Sequence, residues 1–167
     1  MDAKDKETAL RMIPYGLYVL TARAADGRIA TATVNWVTQS SFAPPLVVVG
    51  VKVDSGAHQI IKEAQSFALN ILGKDQVGAA YAFFKPVEPA DGTIGGEPFR
   101  DGSTGSPILE SVPAYVECKL VDTVEGGDHS VMVGEVVDAG VSQPPEGRPD
   151  EHTLTLKDLG EKLFYGG

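Results

Sequence analysis

The chain has 167 residues, 43% of them hydrophobic and 22% charged; this is about one domain of ordinary globular composition and excludes a disordered or collagenous polypeptide. A net charge of -9 with scattered lysines and arginines disfavours a nucleic-acid backbone or an anionic membrane surface as partner. The single cysteine, Cys118, excludes an internal disulfide and any C-x-x-C motif.

The longest apolar run, Leu46 to Val51, is too short to span a bilayer, and Met1 to Glu7 is charged with no apolar signal core. A cytoplasmic protein with one domain over residues 1–167 is the expectation. Ile13 to Ala22 is rich in β-branched and aromatic residues and ends at the turn Ala25-Asp26-Gly27, so with Ile29 to Val37 it predicts a hairpin. Leu46 to Val53 is almost continuously apolar, as suits a strand covered on both faces, and Pro44-Pro45 fixes its start.

Ser55 is a natural N-cap, and Ala57, Ile60, Ile61 and Ala64 draw one apolar stripe along the helix that follows it. Phe67 to Leu72 predicts a short strand. Val77, Ala80, Tyr81 and Phe84 then repeat the helical stripe. Lys85 to Pro113, full of glycine and proline, predicts a long loop of the kind that forms lids, binding segments or dimer arms. Ala114 to Val124 and Val131 to Val141 predict a second hairpin around Glu125-Gly126-Gly127-Asp128, and Leu154 to Tyr165 a closing strand or arm. The pattern predicts a mostly-β antiparallel barrel with short helices over its openings. A doubly wound fold is disfavoured, because no G-x-G-x-x-G follows the first strand.

Lys52, Asp54-Ser55-Gly56-Ala57 and His58 gather an ammonium, an imidazole, a hydroxyl and free amides at a helix start, a setting that binds anions. Taken alone, these residues favour the plainer reading of an ordinary N-cap beside a solvated lysine and histidine. Thr31 to Ser41 carries many hydrogen-bonding side chains and the only tryptophan, Trp36, a set that suits a planar, heteroatom-rich ligand as well as it suits a plain strand and turn. His129 follows Gly127-Asp128 at a hairpin, where a lone histidine is more often a turn residue. Three histidines and one cysteine make a poor metal set.

Pro14-Tyr15-Gly16, Thr33 to Ser41 with Pro44-Pro45-Leu46, Asp54-Ser55, Phe67 to Leu72, Glu117-Cys118, Gly127-Asp128-His129 and Gly134-Glu135-Val136 together resemble the flavin reductase-like family, which has the FMN-binding split-barrel fold. The resemblance implies an antiparallel split β-barrel with two or three short helices and FMN in a groove at a homodimer interface. Asn35, Trp36, Val37, Thr38 and Gln39 would lie near the isoalloxazine ring, and Ser41, Val51, Lys52, Ser55 and His58 nearer the ribityl chain and phosphate. His129 would be the catalytic position, near the flavin and the incoming nicotinamide.

The implied reaction is hydride transfer from NADH or NADPH to flavin N5, with the electrons passed on or the reduced flavin released to a partner oxygenase. Asn35-Trp36-Val37 departs from the small residues and phenylalanine more usual in the family. A non-catalytic FMN electron carrier serving a protein redox partner is therefore the alternative. A third reading is a split barrel whose groove holds haem or stays empty, with His58 as the one candidate axial ligand.

Overall fold

The structure, a computed structural model, describes residues 1–167. Strands β1 (Tyr18–Arg23) and β2 (Ile29–Val34) form the expected hairpin, closed by Gly27 at φ 91°, a left-handed conformation that glycine adopts without strain. The run expected to reach Val37 is broken at Asn35-Trp36, and β3 (Val37–Ser41) starts anew and pairs with β4 (Leu46–Lys52). Helix α2 (Gly56–Ala64) is capped by Ser55, whose hydroxyl accepts from the His58 amide, and it buries Ala57, Ile60 and Ile61. After β5 (Ser66–Ile71) comes α3 (Val77–Ala82). The long hairpin β9 (Ala114–Val124) and β10 (His129–Val141) completes the sheet.

All pairings are antiparallel, in the order β2-β1-β5-β9-β10-β4-β3. The two edges, β2 and β3, are consecutive in the chain yet unpaired, and the barrel is split between them. Helix α2 packs on β1, β2, β4 and β5. Leu20, Val49, Phe67, Leu69, Cys118 and Met132 fill the barrel, and a second cluster with Leu17, Val19, Leu72, Phe83, Ile94 and Leu154 lies beside it. Each large apolar side chain buried in this way contributes roughly 1.5–3 kcal/mol.

Two expectations are corrected. Lys85 to Pro113 is not one long loop but contains a second sheet of β6 (Thr93–Ile94), β7 (Glu97–Asp101) and β8 (Pro107–Leu109), strands too short to show a period. The buried Asn70 fastens this sheet to the barrel. Its amide nitrogen donates to Val19 O at 3.0 Å, and its carbonyl accepts from Leu109 N at 2.8 Å. Secondly, residues 3–11 form helix α1 (Ala3–Arg11), capped by Asp2, where only a charged segment was expected; the helix buries no residue, so it has no apolar stripe to reveal it. Leu154 to Tyr165, expected as a closing strand or an arm, forms the arm: isolated bridges at Thr153 and Thr155 precede a 3-10 turn at Leu156–Leu159.

Glu117, fully buried in β9, is gripped by the loop after β7. Ser103 N and Oγ donate to one carboxylate oxygen at 2.9 and 3.1 Å, and Thr104 N and Oγ1 donate to the other at 2.9 and 2.7 Å. Burial pushes this carboxyl up, but the four hydrogen bonds outweigh burial and hold it below its ordinary value. Burial, with the Glu117 charge next to it, pushes the Cys118 thiol up to about 12, so the thiol is not a ready nucleophile.

Candidate functional site

The split in the barrel opens into a cleft of about 790 Å³, within the range of small-molecule sites. One wall is β2 running into Asn35; the other is the end of β4 with the first turn of α2, and the arm supplies Leu156 and Leu163 to Tyr165. Alternation along β2 places Thr31, Thr33 and Asn35 at every second position. Thr33 Oγ1 donates to Ala80 O at 2.7 Å, whereas the buried Thr31 hydroxyl has no partner.

Three cations line the cleft. Arg28 is engaged by Asp26 at 2.7 Å and by Glu63, and Lys52 by Asp54 at 3.2 Å; Lys85 has no ion pair. Ser55 Oγ is committed to capping and to Lys52 O, at 2.7 Å. The Gly56 and Ala57 amides, first in the helix, have no acceptor and face the cleft with the positive end of the helix dipole behind them.

An aromatic corner bounds the cleft beside Lys52. The Trp36 ring lies 4.6 Å from His129 and 5.3 Å from Tyr165. It rests on Gly50, where a Cβ would come within 3.0 Å of the indole. His129 is held at both nitrogens: Nδ1 faces Asp128 Oδ1 at 2.9 Å and Nε2 faces the Tyr165 hydroxyl at 2.8 Å. The imidazole beside Asp128 holds that carboxyl below its usual range. Burial pushes the Tyr165 phenol up, with Lys52 opposing and Asp128 and Asp54 adding, so Tyr165 remains a donor at neutral pH. Trp36 Nε1 is buried without a partner.

Of the residues expected from the sequence, Asn35, Val51, Lys52, Ser55 and His129 line this cleft. Trp36 stands at its corner. Val37 packs against the barrel core, and Thr38, Gln39 and Ser41 lie on edge strand β3, away from this chain's own cleft. His58, expected nearer the ribityl chain and phosphate, does not line this cleft: its Nε2 meets Ser130 Oγ at 2.9 Å. About 100° of helical turn separates it from Ala57 and Gln59, which do line the cleft. Sequence reasoning missed Lys85 and Tyr165, and it included Thr31 only as part of the run Thr31 to Ser41. The every-second-residue run Thr31, Thr33, Asn35 was the signal that could have singled out Thr31; nothing local marks Lys85 or Tyr165.

Residues 10–158 match the model of the flavin reductase like domain. The chain belongs to the flavin reductase-like family. It is 37% identical over 128 residues to the reductase component of a 4-nitrophenol 4-monooxygenase/4-nitrocatechol 2-monooxygenase of Rhodococcus opacus, covering 74% of this chain but 64% of that protein. It is 32% identical over 152 residues to an NADH:riboflavin 5'-phosphate oxidoreductase of Streptomyces pristinaespiralis, covering 88% and 85%. Among solved structures, an NADH:FAD oxidoreductase of Streptomyces globisporus superposes with a TM-score of 0.71 at 29% identity, over 84% of this chain and 80% of that one. The cleft suits the family's cofactor class. Two orphaned polar atoms, Thr31 Oγ1 in its wall and Trp36 Nε1 at its corner, are the kind of groups a heteroatom-edged ring satisfies, and the free amides and Lys85 suit a phosphate.

Proposed function

We propose that the chain binds FMN in this cleft and acts as an NAD(P)H-dependent flavin reductase. The observation that carries the reading is one cleft holding both an anion-binding helix start with cations beside it and an aromatic corner with unsatisfied donors. Lys52, Lys85 and the Gly56 and Ala57 amides would hold the phosphate, and Thr31 and Asn35 would meet the polar edge of the ring. When bound, the flavin supplies a ring that accepts two electrons and a proton as hydride from the reduced nicotinamide. His129, fixed on Asp128 with Nε2 now on the Tyr165 hydroxyl, would be the group near the flavin and the incoming nicotinamide. The chain contributes position, charge complementarity and exclusion of water.

The active unit in this reading is a homodimer in the cytoplasm. Val121, Val131, Val137, Val141 and Phe42 are exposed, an apolar surface that a second copy would cover. Such pairing would also give Thr38, Gln39 and Ser41 of β3 a ligand to face. By likeness to the Rhodococcus reductase component, reduced flavin would pass to a separate oxygenase. One observation favours the alternative of a flavin electron carrier: the aromatic corner is already filled by Tyr165.

Anaerobic mixing with NADH or NADPH and excess FMN separates the two. Loss of the oxidised flavin band from the whole pool is expected for the reductase. Bound FMN that no nicotinamide reduces would leave the carrier.

A further inference from the structure

Leu163, Phe164 and Tyr165 form one side of the cleft, and their segment uses groups that a ligand would need. Asn35 Nδ2 donates to Tyr165 O at 3.2 Å, and the Tyr165 hydroxyl meets His129 Nε2 at 2.8 Å. Arg11 Nε donates to Gly166 O at 3.3 Å, and its guanidinium lies 4.5 Å from the Phe164 ring centroid. The closure is thin. Phe164 and Tyr165 remain 51% and 47% exposed, and beneath them Trp36 Nε1 is sealed from water with no acceptor. A segment held by a few exposed contacts, and leaving a buried donor unsatisfied, opens at low free energy.

We propose that Leu163–Tyr165 is an internal competitor for the nicotinamide co-substrate: the Tyr165 phenol occupies the place against Trp36 and His129 that the incoming ring takes, and the segment must swing away for that ring to enter. The proposal rests on reading the cleft as a flavin site. The segment makes no hydrogen bond to Lys52, Ser55 or Gly56, so it competes with the nicotinamide far more than with the flavin phosphate. A competitor of this kind lowers apparent affinity in proportion to the time it spends closed.

The test uses the full chain loaded with FMN, with Y165F to remove only the hydroxyl and the double variant F164A/Y165A to remove both rings. KM for the reduced nicotinamide should fall about fivefold in Y165F, one neutral hydrogen bond's worth, and further in the double variant. Independently of turnover, amide exchange of residues 163–167 read by mass spectrometry should quicken when oxidised nicotinamide dinucleotide is added to the FMN-loaded parent. An unchanged or higher KM in both variants, or slower exchange on adding the dinucleotide, overturns the proposal; slower exchange would mean the segment folds over the ligand rather than yielding to it. Failure of the parent to take up FMN overturns the functional reading and this proposal with it, and is seen before any variant is made.

Discussion

Around Glu117 every carboxylate oxygen has two donors; around Trp36 and Thr31 buried polar atoms have none. Both regions lie on one antiparallel barrel and both use short polar side chains. The first is closed on itself, with Gly102 so near that a Cβ there would fall within 2.3 Å of Glu117 Oε1. Its hydrogen bonds stabilise the junction between β9 and the small sheet. The second leaves hydrogen-bonding capacity unused, which lowers stability, and on the proposed reading a bound flavin supplies the missing partners. Which region a polar residue belongs to therefore predicts whether its loss damages folding or binding.

The largest effect should come from breaking the closed region. Glu117→Ala strands the donors of Ser103 and Thr104 in a dry site, and urea unfolding should show a loss of about 3–5 kcal/mol, with FMN affinity unchanged in the folded fraction. A loss below about 1 kcal/mol would mean the clasp does not matter to the fold.

In the open region the order reverses. Lys52→Glu combined with Ser55→Asp puts like charge against the phosphate and should weaken FMN binding roughly a hundredfold or more by fluorescence titration, with the melting temperature nearly kept. Unchanged flavin content in that variant would remove the proposed phosphate site.

Acid distinguishes the regions next. Glu117 binds its proton more weakly folded than unfolded, so its contribution to stability is fully present above its ordinary pKa of 4.5 and is lost as pH falls through the lower folded value. Urea midpoints should be level with respect to this group above about pH 5 and drop below it, and Glu117→Gln should flatten that part of the profile.

The smallest effect is the most diagnostic. Thr31→Val removes the orphaned hydroxyl at nearly constant volume, and should stabilise the FMN-free protein by about 1 kcal/mol while weakening FMN several-fold. Destabilisation instead would show that the hydroxyl has a partner in solution.

Much of the barrel could be read from local pattern. The continuous apolar run of β4, the Ser55 cap and the glycine-marked hairpins are short-range signals that tertiary context did not override. The missed elements lack such signals for physical reasons. Helix α1 buries nothing, β6 to β8 are too short to repeat a period, and the small sheet is held by Asn70 across 39 residues of sequence. The site shows the same division. Asn35, Lys52, Ser55 and His129 could be named because strand, cap and hairpin place them. His58 lies one step of helical rotation away from the cleft lining, and Tyr165 reaches His129 across 36 residues by way of an arm with no pattern of its own.

Gly50 gives the barrel a means of changing what it admits. The indole packs this close to the sheet only because β4 has no side chain beneath it, where even a methyl carbon would come within 3.0 Å of the ring. Alanine or serine at this position would tilt Trp36 outward and narrow the aromatic corner from below. A lineage could in this way trade one aromatic guest for another through a single codon in a β-strand, leaving Lys85 and the start of α2 untouched.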